Sequence, residues 1–227
     1  EVFEHYDLPL ADLLDALEDF KQAADQSSVA LVYYAGHAVQ IDGLNYLLPV
    51  EFDGDRKDIL GQLVGVDEML KGMASAAKAQ VLLLDACRDN PFLDRIDRSL
   101  GRHATDRGLA TILMPVVDPA ATARPADGVR GLIVGYATQP FDTALDGDKG
   151  NGPYAMALHD ALHQADEDLN TILVKAARTV LTETKGAQRP EHRVALTGPL
   201  YLVSRRRPLE CDVLAAEEDN NISVKGV

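Results

Sequence analysis

Cysteine is scarce in this chain: 227 residues carry two, Cys87 and Cys211, so no disulfide framework is expected. Cys211 lies in a polar tail, whereas Cys87 follows an apolar run. Long hydrophobic stretches are also missing. None approaches the roughly 20 apolar residues that a membrane-spanning helix requires, so no membrane partner is expected. Basic residues are outnumbered, 22 Lys and Arg against 36 Asp and Glu, for a net charge of -14. A nucleic-acid backbone is therefore a poor match, while basic substrates suit the surface. No glycine-rich phosphate loop follows an apolar run, which argues against a nucleotide-type ligand domain. There is no internal repeat and no recognisable secretion signal. The sequence opens at Glu1 rather than methionine, so the precursor's targeting stays open and a cytoplasmic location is simply the favoured expectation.

What is present is an ordinary globular composition, 46% hydrophobic and 26% charged. Leu10, Leu13, Leu14, Leu17 and Phe20 recur at helical spacing, which predicts a helix over 9–24. Residues 29–35 read as a strand covered on both faces. Residues 39–41 and 44–48 flank Asp42-Gly43, a two-residue hairpin signal. A helix is expected around Val66, Met69, Leu70 and Met73, and a buried strand at 81–84. A further strand is expected at 132–138, helices at 154–165 and 169–184 with a stop at Gly186, and a last short strand at 200–203. Strands alternating with helices predict an α/β sandwich with a mostly parallel sheet. The stretch 93–130 is polar and contains Arg95, Arg98, Arg102, Arg107, Arg124 and Arg130. Such length without regular pattern marks a functional or disordered loop.

Two consecutive apolar strands end in reactive side chains, one in Gly36-His37 and the other in Asp85-Ala86-Cys87. Ligands of open α/β sheets sit beyond the carboxyl ends of the strands. If the two strands are parallel neighbours, His37 and Cys87 emerge on one rim. A thiol beside an imidazole is readily activated as a nucleophile, which suits acyl transfer. Taken singly, a cysteine after a strand is ordinarily core, and a histidine at a strand end is ordinarily structural. The pair, each at a strand terminus and 50 positions apart, is the stronger signal. A rival is "HDALH", with His159 and His163 one helical turn apart, but Asp160 stands where zinc proteases place Glu and no third ligand is near. A plain helix face is the better reading there. His5, His103 and His192 form no cluster.

The histidine spacing and the stretch "VLLLDACRDNPF" lead to a resemblance. Caspases place a histidine about 50 residues upstream of a Q-A-C-[RQG]-G nucleophile motif. The sequence resembles the caspase-like cysteine peptidases, in their bacterial metacaspase-like (orthocaspase) branch. "YYAGHAVQIDGLNYLLPVE" is similar to the histidine block, and "GLIVGYATQPFDTALDGDKGNGPYAMAL" to the start of the small-subunit region. "TETKGAQRPEHRVALTGPLYLV" is similar to the closing strand.

The resemblance implies a caspase-like α/β/α sandwich over 1–204. Within it, residues 1–92 correspond to a large subunit, 93–130 to an Arg-rich intersubunit loop and 131–204 to a small subunit. Residues 205–227 read as a polar tail or linker. The resemblance also implies a family strand and helix before Glu1, which this chain lacks or which form a separate piece.

By the same resemblance, Cys87 is the nucleophile and His37 the general base and acid. The backbone N–H groups of Ala38 and Cys87 would form the oxyanion hole. Many relatives carry glycine at the Ala38 position, and alanine serves equally where the backbone has negative φ. Asp85 precedes Cys87 by two residues of extended chain, so both side chains share a face. A carboxylate there favours a cationic substrate side chain, Arg first and Lys second. Asp146 falls where caspases carry an arginine that grips an acidic substrate, so the charge is inverted at a second place.

The expected activity is that of an endopeptidase cutting after Arg or Lys and processing itself at an arginine of the 93–130 loop. The alternative is an inactive caspase-like scaffold that binds protein partners. No cofactor is required by this chemistry. Some relatives need calcium, and the acidic loop 142–148 offers oxygen ligands, but spacing alone does not decide a calcium requirement. Oligomeric state is equally open.

Overall fold

The computed structural model describes residues 1–25, 27–41, 44–76, 78–86, 129–139, 144–145, 151–163 and 166–203. Helix α1 (Leu10–Ala24) leads into strand β1 (Val29–Gly36) and the pair β2 (Ala38–Ile41) and β3 (Leu44–Leu47). A short turn of 3-10 helix (Leu60–Gln62), strand β4 (Val64–Gly65), helix α2 (Val66–Ala76) and strand β5 (Ala79–Ala86) follow. Beyond them come β6 (Gly131–Tyr136), α3 (Pro153–Leu162), α4 (Leu169–Glu183) and β7 (Glu191–Leu196).

The main sheet has the order β1-β5-β6-β7. The first three strands are parallel, and β7 runs antiparallel to β6. Strand β5 is central, and every residue of it except Asp85 is buried. That burial explains its unbroken apolar sequence, since a strand flanked on both sides and covered on both faces has no solvent side to mark.

Alternation along the strands divides the core in two. Ala30, Leu82, Leu84, Leu132, Val134 and Tyr136 face α1 and α2, meeting Met69, Leu70 and Met73 with Leu17 and Phe20. Val81, Leu83 and Ile133 face the other way, against Tyr154 and Leu158 of α3 and Leu169, Ile172 and Leu173 of α4. Helices thus cover both faces, as the pattern of alternating strands and helices predicts. A small antiparallel sheet, β2-β3-β4, adds Ala38, Leu47 and Val64 to the α1–α2 core and buries Val39, Ile41, Leu48, Ile59 and Leu63 in a cluster of its own. Its third strand is two residues long, too short to leave a periodic trace in the sequence.

Two expectations need correction. Residues 200–203 form no strand. The Leu200 carbonyl accepts the Leu169 N–H at 2.7 Å, and its own N–H donates to Asp168 Oδ1 at 3.0 Å. This segment therefore satisfies its backbone on the first turn of α4 rather than in a ladder, while Asp168 also caps α4 by accepting from the Thr171 N–H. The closing strand lies earlier, at Glu191–Leu196. Helix α4 also ends at Glu183, one residue short of the expected 184. The Lys185 N–H reaches the Thr182 carbonyl and the Gly186 N–H reaches Leu181, so Lys185 itself (φ 52°) takes the left-handed position.

Gly131 opens β6 with φ +123°, and a Cβ there would stand 1.9 Å from the Ala195 carbonyl oxygen of β7. Gly186 has φ +83° but open space around it. Gly131→Ala is therefore expected to destabilise by clearly more than the ~1–2 kcal/mol that left-handed strain alone costs, with Gly186→Ala near that lower figure. Urea unfolding of the two variants measures the difference.

Candidate active site

The parallel register of β1 and β5 pairs Ala35 with Asp85 and Gly36 with Ala86. Both strands end at that level, and the chain continues into His37 on one side and into position 87 on the other. His37 is exposed at the rim and connects β1 to β2. The ends of the two strands that the sequence singles out thus stand side by side. Cys87 itself lies outside the described residues, as do Asp146, Arg95, Arg98, Arg102, Arg107, Arg124 and the turn at positions 42 and 43.

The backbone just after His37 is closely held. The His37 carbonyl accepts the Leu48 N–H at 3.0 Å and the Tyr34 hydroxyl at 2.7 Å. The first of these bonds makes Ala38 and Leu47 a non-hydrogen-bonded pair of the β2–β3 ladder, so the Ala38 N–H points away from β3. Ala38 is buried and is not among the residues with positive φ, so alanine fits where glycine is common.

On the other face of the sheet, Asp85 is half-buried and accepts a hydrogen bond from the Tyr33 hydroxyl on Oδ2 at 2.8 Å. The start of α3 lies against the same carboxylate. A Cβ on Gly152, the residue capping α3, would be 3.7 Å from Asp85 Oδ2. Glycine with Pro153 behind it lets the helix begin there, and its N-terminal end favours negative charge. Tyr154 follows, fully buried, and its hydroxyl packs over Gly135 of β6, where a Cβ would be 2.7 Å away. Nearby, buried Gln188 donates from Nε2 to the Ala137 carbonyl at 2.9 Å and accepts the Leu145 N–H at 3.1 Å. It ties the end of β6 to the segment before α3.

The tyrosines register this environment. Burial, then the Asp85 charge, raises Tyr33 and Tyr154 well above the ordinary tyrosine range. Tyr33 keeps 42% of its surface exposed, so water screens some of that effect. Burial pushes Tyr34 up to about 12, partly offset by the backbone at Leu48. None of these three tyrosines, nor Gln188, is singled out by the sequence pattern. For Tyr33 and Tyr34 a signal existed, namely two adjacent tyrosines just before Gly36-His37, which strand alternation sends to opposite faces. Gln188 left none.

Other predicted positions lie elsewhere. His159 and His163, exposed at the C-terminal end of α3, set their rings at a tilt of 53° with centroids 4.4 Å apart, and the His163 ring contacts the His159 carbonyl. Among the described residues no group of three or more His, Cys, Asp or Glu is placed to hold a metal ion, and most of the 142–148 loop lies outside them. No described helix is long and apolar enough to cross a membrane. Arg130 is described: its N–H donates to Thr197 Oγ1 and its carbonyl accepts the Thr197 N–H, both at 2.9 Å.

The mostly parallel sheet with helices on both faces is the arrangement of a caspase-like α/β/α sandwich. Sequence comparison agrees: the caspase domain family matches residues 1–201, and the chain belongs to that family. Solved structures share the fold at low identity. Caspase-1 from Spodoptera frugiperda superposes with a TM-score of 0.56 at 14% identity, over 92% of this chain and 77% of that one. A protein of Geobacter sulfurreducens gives 0.52 at 12% identity, over 82% and 73%. No curated protein sequence matches.

A tyrosine whose pKa rises on folding stabilises the fold fully below its unfolded value of 10, and that contribution is lost as pH climbs through the folded value. Stability against urea should therefore decline between pH 10 and about 12, and Tyr34→Phe should flatten that decline. Ultraviolet titration of tyrosinate in folded and urea-unfolded protein gives the same comparison directly.

Proposed function

We propose that the protein is a cysteine endopeptidase that cuts after Arg, and less readily Lys, with Cys87 as nucleophile and His37 as general acid and base. The observation that carries this reading is the register Gly36 to Ala86 between parallel neighbours, because each strand continues by one residue into His37 and Cys87. In the proposed reaction Cys87 Sγ attacks the scissile carbonyl, and the resulting oxyanion is held by the N–H groups of Ala38 and Cys87. His37 gives a proton to the departing amine. Water, deprotonated by His37, then breaks the thioester and releases Cys87 as thiolate. No cofactor takes part, and assay in the presence of a calcium chelator tests whether calcium is needed for the active form.

Asp85 is the proposed acceptor for the substrate's guanidinium, and Asp146 a second acidic contact. Asp85 is half-exposed at the rim, on the face where side chains two positions apart point the same way. The Tyr33 hydroxyl and the start of α3 stabilise its charge without neutralising it. The metacaspase-like branch fits this preference for a basic residue better than the caspases proper, which cut after Asp.

Self-processing belongs to the same proposal. The 93–130 loop separates the two catalytic halves and offers Arg95, Arg98, Arg102, Arg107 and Arg124 as cleavage points. Arg130 is poorly suited, because its backbone is bound to Thr197 and the next N–H to the Lys78 carbonyl. A protease must take its target in an extended, accessible form, which would require unpeeling β6.

A peptidyl-arginine coumarin amide tests the activity. Wild type should hydrolyse it in preference to the lysine reporter, with little action on an aspartate one, and Cys87→Ala should lower the rate by more than about 10³-fold. Hydrolysis unaffected by that substitution would sink the reading. Asp85→Asn should reduce kcat/KM on the arginine reporter by about 10–100-fold, the scale of a lost charged hydrogen bond, while iodoacetamide still alkylates the thiol. Intact mass spectrometry checks self-processing: wild type should split within the 93–130 loop on incubation and Cys87→Ala should stay whole.

A further inference from the structure

We propose that Tyr34 is a positioning residue for this reaction, its hydroxyl fixing the His37–Ala38 peptide so that the Ala38 N–H faces the developing oxyanion. The inference rests on the reading of His37, Ala38 and Cys87 given above. Its own support is the geometry on the α1–α2 side of the sheet, opposite to Asp85.

Tyr34 packs its ring against the core under α1 and α2, but its hydroxyl turns back towards the rim. The ring crosses directly over Gly36, where a Cβ would be 2.7 Å from Tyr34 Oη and 2.9 Å from Cζ. Glycine at 36 is thus a steric requirement of the tyrosine. The hydroxyl that reaches across donates to the His37 carbonyl at 2.7 Å, with the Leu48 carbonyl a longer second acceptor at 3.2 Å. The His37 carbonyl also takes the Leu48 N–H at 3.0 Å.

The His37 carbonyl and the Ala38 N–H are two ends of one planar trans peptide unit and point in opposite directions. Two donors clamped on the carbonyl therefore fix where the N–H points, which is away from β3. They also polarise the unit, because donation to a peptide carbonyl makes the attached N–H a stronger donor. Its raised pKa keeps Tyr34 a proton donor throughout the neutral and mildly alkaline range. A phenylalanine would fill the same core volume, so only the hydroxyl distinguishes a positioning role from packing.

The test uses the full chain. Tyr34→Phe should lower kcat on the arginine reporter about tenfold while KM stays within about twofold, since the lost interaction acts on the oxyanion rather than on substrate binding. A peptidyl-arginine aldehyde, to whose carbonyl Cys87 Sγ adds to give a tetrahedral oxyanion, should bind more weakly by the same factor. Iodoacetamide alkylation forms no oxyanion, so its rate and pH profile should match wild type. Gly36→Ala, which must displace the tyrosine ring, should show the same split by a different route. It also carries the comparison if the phenylalanine variant does not fold. Unchanged kcat and aldehyde affinity, or a parallel loss in alkylation, would overturn the role of Tyr34. A wild-type protein that neither cuts the reporter nor binds the aldehyde overturns instead the Cys87–His37 reading beneath it.

Discussion

The pairing of β1 with β5 governs everything at the rim of this protein. Eight consecutive residues of each strand are matched in parallel, from Val29 with Ala79 to Gly36 with Ala86. Because they run the same way, both chains leave the sheet at one end, and two segments distant in sequence become neighbours without any contact between their side chains being needed. A buried central strand makes that register hard to shift: sliding β5 by one position would send Leu82 and Leu84 to the face of α3 and α4 and strand Asp85 in the opposite core. The hydrophobic pattern that folds the sheet is therefore also what holds the candidate site in alignment.

The two faces of the sheet then take on different duties. Towards α3 and α4, Asp85 meets the Tyr33 hydroxyl and the start of a helix, with Tyr154 near enough to feel its charge. Towards α1 and α2, Tyr34 bonds backbone rather than a charged group. In the proposed reaction one face recognises the substrate's side chain and the other prepares the peptide that meets its carbonyl.

Much of this was legible in the sequence. Long buried strands, the amphipathic α1, α2 and α4, and the His37 to Cys87 spacing all carry strong local patterns, because burial on one face or two writes a period into the chain. What escaped detection was decided by tertiary partners. The Leu200 segment is apolar enough to read as a strand, yet its backbone groups are taken by the first turn of α4. Strand β7 hides its role because its residues are only half-buried, so charged Glu191 and Arg193 interrupt the apolar run. Around the site, Asp85 was found from its spacing to Cys87. Tyr33, Tyr34 and Gln188 were not, since their importance lies in hydrogen bonds to atoms 3 to 52 residues away, which no periodicity encodes.

The adjacency of Tyr33 and Tyr34 has an evolutionary corollary. Two neighbouring codons specify the same amino acid for unlike tasks on opposite sides of one strand. A one-residue insertion or deletion between Val29 and Gly36 would put the hydroxyl meant for the carboxylate beneath the helices and the clamping hydroxyl beside the carboxylate. Point substitutions in β1 can be judged one at a time, but its length cannot drift by one residue: this strand and the single residue His37 that links it to β2 must be inherited as a block.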